Sequence, residues 1–337
     1  MTQLMGGYSK VLIVCPGNAM TAGPEALHQL GADLIRLGQP AAMVYYPFDR
    51  AFETPGPYQK YRVPVEPFRD EAGAMIVFPE IFPTFALKVR RAQAAIWWMS
   101  VNNYTCVRYG NPLRDKFRYF KQLVKGLRPW GGIGALGHLV HLAQSHYATA
   151  FLERHGIRSL PLSDAIPVYT APDYLAALPA RLAAAHRQPV ILYNPTKGAK
   201  ITARLMAAYP EWQFKPLRGL NREQLAEAFL AAMIYMDFGH HPGKDRLPRE
   251  AAMHGCCIIT GLYGSAADPV DVPIPPRYKL DDRASSFVGE FGAVVTDVFA
   301  HFDARSREFD AYRAVIHQEQ IRFDRQIRDA FGLGDAH

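Results

Sequence analysis

This sequence of 337 residues contains no apolar run near the ~20 residues that a bilayer-crossing helix requires. The opening, MTQLMGGYSK, lacks the charged start, apolar middle and cleavage site of a signal peptide, so a cytoplasmic protein is expected. Cysteine is scarce: Cys15, Cys106, Cys256 and Cys257 show no framework spacing, and reduced thiols packed as small hydrophobes are expected. Ligand spacing for a metal is missing too. His138, His141 and His146 do not share a face, His240 and His241 adjoin, and Asp281-Asp282 are adjacent with no spacer; no metal or other cofactor is expected. The one glycine fingerprint, Gly132-Ile133-Gly134-Ala135-Leu136-Gly137, follows Arg128-Pro129 and precedes a strand-like run. A dinucleotide site needs the reverse order, which argues against an oxidoreductase. No internal repeat or low-complexity tract is visible.

What is present suits two domains. The length fits a pair at roughly 150 residues each, and 49% hydrophobic residues supply two cores. The net charge of +7 is unevenly spread: between Arg108 and Arg128 seven cations face one acid, Asp115. Phe117, Tyr119, Phe120, Leu123, Val124, Leu127 and Trp130 interleave with them. Nucleic acid and an anionic membrane surface both fit such a segment, as does a solvated helix face.

Hydrophobic patterning predicts alternating strands and helices. Strands are expected at Lys10–Cys15, Ala41–Tyr46, Ala74–Phe78 and Gln93–Val101, with a basic helix from about Leu113 to Leu127. His138–Ala143 and Leu160–Asp164 complete the first series. The proline-bearing stretch 166–188 reads as a linker. Pro189–Tyr193, Trp212–Leu217, Ala232–Phe238 and Cys256–Thr260 then form a second series separated by helices. The fold class predicted is α/β with two Rossmann-like parallel-sheet domains, 1–165 and 189–300, facing across a cleft. The tail 301–337 reads as one long polar helix with Phe309, Tyr312, Ile316, Ile321, Phe323 and Ile327 spaced to pack on another surface.

The segment Phe238–Ser265 carries the most chemistry. A loop rich in His, Pro, Gly and cations leads into Leu247-Pro248-Arg249-Glu250, a helix start suited to proline. Gly255 ends the helix, and a strand follows. Charged groups are thereby placed at the carboxyl edge of a parallel sheet and at a helix N-terminus. Glu250 with the following small-residue helix, glycine and strand resembles the donor motif of GT-B glycosyltransferases. The likeness is to the retaining families, of capsule and lipopolysaccharide type, with two glutamates eight positions apart. Pro242 stands where the first glutamate would be.

By that resemblance, Glu250 contacts the ribose, Lys197 with Asn194 and Gly198 and also Arg218 hold the diphosphate, and Lys244, Asp245 or Arg246 recognise the sugar. Ala22-Gly23-Pro24-Glu25 matches the glycine-rich opening of the same families, with Gly23 as the phosphate loop and Glu25 and His28 at its rim. A retaining transfer needs no protein base; an inverting one would draw on Glu25, His28, Glu80 or Asp164. The stereochemistry is left open. The function implied is metal-independent transfer from a nucleotide-sugar to a cell-surface glycan or lipid-linked acceptor. Without a membrane span, the basic helix suits docking at the inner leaflet, and that partner is preferred to nucleic acid. A nucleotide-sugar epimerase and a catalytically silent nucleotide- or sugar-binding protein are the rival readings.

Overall fold

The computed structural model describes residues 7–107, 112–166 and 172–334. Arg108 of the basic segment and Pro167 of the linker reading lie outside the described residues. The chain forms two compact units, the first comprising residues up to Asp164 and the stretch from Gln320 onward, the second Ala165–Glu319.

The first unit runs β1 (Lys10–Pro16), α1 (Ala22–Arg36), β2 (Ala41–Tyr46), β3 (Ala74–Pro79), α2 (Pro83–Ala86), β4 (Gln93–Trp98), α3 (Val101–Thr105), α4 (Pro112–Val124), β5 (Val140–Ala143), α5 (His146–Glu153) and β6 (Leu160–Pro161). These strands pair in parallel in the order β2-β1-β3-β4-β5-β6. Strand side chains alternate between faces, so Val11, Ile13 and Cys15 enter one buried cluster while Leu12 and Val14 enter another. Covering both faces is what an all-parallel sheet requires.

The second unit runs α6 (Pro172–Ala183), β7 (Gln188–Tyr193), α7 (Ala199–Ala208), β8 (Gln213–Pro216), α8 (Arg222–Ala231), β9 (Ala232–Asp237), α9 (Arg246–Met253), β10 (Cys257–Thr260), α10 (Phe287–Ala300), α11 (Phe302–Arg307) and α12 (Asp310–His317). Its parallel sheet has the order β10-β9-β7-β8. Asn221 caps α8 by accepting the Gln224 N–H at 2.9 Å, while the Gln224 side chain reciprocates.

Three expectations are revised. The fourth strand stops at Trp98, because Ser100 accepts the Asn103 N–H at 3.2 Å and starts α3. The stretch read as a linker carries α6, and Leu178 and Ile166 are buried in the second unit's core. The tail is three helices, α11, α12 and α13 (Glu319–Phe331), broken at Glu308-Phe309 and Gln318. Phe323, Ile327, Ala330 and Phe331 of α13 join the first unit's core, with Phe323 stacked on Trp97. Among the described residues no helix is long and apolar enough to cross a membrane.

Candidate active site

In a doubly wound sheet, ligands bind beyond the carboxyl ends of strands where the winding reverses. In the second unit β8 lies on one side of β7 and β9 on the other, so the reversal falls between β7 and β9. The loops after these two strands hold most of the residues singled out from sequence.

After β7, the Asn194 side chain accepts the Thr196 N–H at 3.0 Å and the Thr196 hydroxyl at 2.7 Å, fixing a tight turn. Gly198, at φ +58, starts α7; a Cβ there would stand 3.1 Å from the Phe238 carbonyl carbon. A Cβ on Gly239 would stand 2.4 Å from that of Lys197. The two loops therefore lie backbone against backbone, closer than any side chain permits.

That approach brings together a buried charge network. The Lys197 ammonium donates to Asp245, and His241 Nδ1 lies 2.9 Å from the same carboxylate. On its other side His241 Nε2 stands 3.5 Å from Asp237 Oδ1. Asp237 also accepts the Tyr235 hydroxyl at 3.1 Å and the Gly239 N–H at 3.0 Å. Burial alone would favour neutral forms, but the charges outweigh it. Asp237 and Asp245 raise His241 to about 10, and His241 and Lys197 hold both carboxyls below their usual range. Lys197, penalised by burial but paired with Asp245 and Asp237, is raised as well. The ligand atoms of Asp237, His241 and Asp245 lie within 4.8 Å of one another, a spacing compatible with a cation. Lys197 and His241 face the same two carboxylates, so the four groups also form a salt-bridge network.

One turn into α9, Glu250 is 3% exposed and pairs with Arg246 at 3.1 Å. Lys244, read as a sugar contact, instead extends to Glu319 at 2.9 Å, where Arg249 joins it at 2.8 Å. Arg218 is exposed, one residue beyond Leu217, whose N–H donates to the Tyr193 carbonyl at 2.9 Å. It thus borders the same sheet edge. The sheet therefore gathers Asn194, Lys197, Gly198, Asp245, Arg246 and Glu250, with Arg218 at the margin.

In the first unit the reversal lies between β1 and β3. Gly23 sits in the first turn of α1 with only Met99 Cε, 4.0 Å away, near its would-be Cβ. Glu25 accepts from Lys60 at 2.9 Å and from the Tyr61 hydroxyl at 3.1 Å. Both ring nitrogens of His28 are engaged, by the Pro24 carbonyl at 2.7 Å and the Tyr45 hydroxyl at 2.8 Å. Burial lowers its pKa, against the raising effects of that carbonyl and of Glu25. Glu80, just past β3, accepts from Asn103 at 3.2 Å and from the Met99 N–H at 3.3 Å, and burial pushes it up to about 7.

Asp237 and His241 were not singled out from the sequence, because Asp237 ends an apolar run and His241 adjoins a second histidine. The signal available was Asp237, His241 and Asp245 at a spacing of four.

No protein-family model and no curated protein matches the sequence. Solved structures do match its fold. Sucrose-phosphate synthase (tll1590) from Thermosynechococcus elongatus aligns with TM-score 0.61 and 13% identity, covering 96% of this chain and all (100%) of that one. The catalytic domain of starch synthase IV from Arabidopsis thaliana, bound to ADP and acarbose, aligns at 0.57 and 11%, covering 96% and 100%. The Escherichia coli trehalose-6-phosphate structure bound with UDP-2-fluoro glucose aligns at 0.57 and 11%, covering 95% and 99%. The chain shares the GT-B type of fold with these structures.

Proposed function

We propose that this protein is a glycosyltransferase that moves a sugar from a nucleotide diphosphate donor to a cell-surface glycan or lipid-linked acceptor without a metal. The observation that carries the reading is the convergence of Lys197, Asp245, Arg246 and Glu250 where the winding of the second sheet reverses. The nucleotide-sugar and nucleotide ligands named for the structures of like fold, UDP-2-fluoro glucose and ADP, support the donor class.

The barrier to glycosyl transfer is mainly charge separation as the diphosphate departs. Fixed cations and a helix N-terminus stabilise that charge without reorganising. In this reading Lys197 exchanges Asp245 for a diphosphate oxygen while His241 keeps Asp245 in place. Arg218 and Arg246 approach from the margins, and Glu250 accepts the ribose hydroxyls. Asn194 and Gly198 shape the turn that presents Lys197. Gly23 and Glu25 stand in the first turn of α1, at the first unit's own sheet edge. His28, with both nitrogens engaged, supports that loop through Tyr45.

The test is a thermal-shift screen against UDP-, GDP-, CMP- and dTDP-sugars, followed by assay of released nucleotide with and without chelator. A donor at 100 times its dissociation constant stabilises by about 2.7 kcal/mol. Glu250→Ala, with Glu250→Gln as the isosteric control, should erase the shift while the protein still melts cooperatively. An unchanged shift in both variants sinks the donor-site assignment, and inhibition by chelator sinks metal independence. Release of an altered nucleotide-sugar without acceptor would select the epimerase reading.

A further inference from the structure

Helix α4 turns an apolar stripe to water although Tyr119, on its other side, packs on the core. A surface helix of a soluble protein normally turns its apolar stripe to the core and its charges to water. Here the acidic residue, Asp115, is 9% exposed and bound to Arg118 at 2.5 Å, while Phe117, Phe120 and Val124 are 66%, 54% and 63% exposed. These three, with Leu113 at 76%, recur at helical spacing and form one stripe. Lys116 and Lys121 border the stripe on opposite sides, and exposed Lys125 follows the helix. Trp130, 73% exposed, lies a short way further along the chain. Beside Phe120 the surface opens into a crevice of about 600 Å³ with Tyr119, Leu123, Val107 and Pro112 in its wall and Lys116 in its lining.

We infer that α4 with Trp130 is a docking surface for an anionic lipid bilayer, lying in the headgroup plane with Phe117, Phe120 and Val124 turned into the acyl region. An outward apolar stripe flanked by lysines is the arrangement that couples burial of apolar area to attraction by anionic headgroups. Aromatic side chains such as Trp130 favour the interface itself. Nucleic acid would match the lysines but not the aliphatic part of the stripe. A second copy of the chain would match the apolar stripe but would set lysines against lysines. The anionic bilayer matches both. The inference stands apart from the glycosyl-transfer reading, because it is measured with no donor present.

The experiment is co-sedimentation of the full chain with vesicles of phosphatidylcholine alone and of equimolar phosphatidylcholine and phosphatidylglycerol. Binding to the anionic vesicles, weakening as salt rises, is expected, with little binding to the neutral ones. Trp130 emission should shift to the blue on binding, and Trp130→Phe should remove that shift. Combined Lys116→Glu, Lys121→Glu and Lys125→Glu should weaken binding at least about tenfold. Phe117→Ser with Phe120→Ser should do the same; these exposed positions leave the melting temperature close to that of the parent. Failure of the parent to bind anionic vesicles overturns the proposal, as does equal binding by either variant. A dimer that dissociates in the phenylalanine variant without any vesicle binding overturns it in favour of self-association. Binding to an oligonucleotide in place of vesicles overturns it likewise.

Discussion

Two buried histidines, one in each unit, are each 1% exposed yet differ in charge. His28 of α1 sits among Tyr45, Tyr58 and Tyr61, with the Tyr58 ring centroid 4.6 Å away, and burial lowers its pKa. His241 sits between two carboxylates, which outweigh the same burial and raise it to about 10. The state of a buried ionisable group therefore depends on whether its charged partners outweigh its desolvation, as they do at His241 and not at His28. The first unit's loop is held at His28 by a hydroxyl and a carbonyl and at Glu25 by a part-exposed ion pair with Lys60, the second unit's by opposed charges that are more deeply buried. In the second unit the buried pair of Lys197 and Asp245 stands beside a sheet edge, where an anion can exchange with the carboxylate.

The comparison breaks most visibly at Asp237. Removing it leaves Asp245 as the one carboxylate facing both His241 and Lys197, and takes from the Tyr235 hydroxyl and the Gly239 N–H the oxygens that accept them. Deleting one member of a buried ion pair costs about 3–5 kcal/mol, so Asp237→Ala should lower urea-unfolding stability by that order. Glu25→Ala should cost far less, since its partner Lys60 is 38% exposed and water screens the pair. Equal losses in the two variants would erase the distinction between the units.

The architecture was legible because strands buried on both faces read as apolar runs, and glycines mark the helix ends. Gly38 at φ +90 and Gly255 at φ +85 end α1 and α9 where the sequence places those ends. The paired loops after β7 and β9 were half legible. Lys197, Asp245, Arg246 and Glu250 stand out as charges beyond strands, but which carboxylate faces which cation depends on a backbone approach invisible along the chain. Lys244 shows this: Glu319, its partner, is far away in sequence and was read as part of an undivided helix. The exposure of the apolar stripe of α4 was also hidden. Its pattern of apolar and basic residues is the same whichever face points inward.

The histidines give the next effect, and their signs differ. His241 has a folded pKa of about 10 above its ordinary 6.5, so its contribution is complete below pH 6.5 and is lost as pH rises towards 10. His28 has a folded pKa below 6.5, so its neutral form is favoured and stability falls as pH drops through 6.5. Measured against wild type across pH, His241→Asn should close its stability gap on the alkaline side. His28→Asn should close its gap on the acid side. Parallel curves for the two variants would show that their partners do not set their charge.

The smallest effect separates the two glycine loops. Gly264, at φ +60, is so placed that a Cβ would stand 1.9 Å from the His241 carbonyl oxygen. Backbone strain of that kind costs about 1–3 kcal/mol before the clash is relieved, and Gly264→Ala should disturb the charge network through His241. Gly23 has no positive φ, and a Cβ there would meet no atom beyond its own helix nearer than Met99 Cε at 4.0 Å. Within the first turn of α1, Gly23→Ala should instead stabilise by about 0.5–1 kcal/mol through the lost freedom of the unfolded chain. The same variant decides whether the first unit's loop meets the donor. If phosphate approaches the backbone at Gly23, the added methyl group stands in its way, and the donor-induced thermal shift falls although the protein itself has become more stable. If the shift is kept, the donor is held by the charged loops of the second unit, and Gly23 serves only to begin a helix.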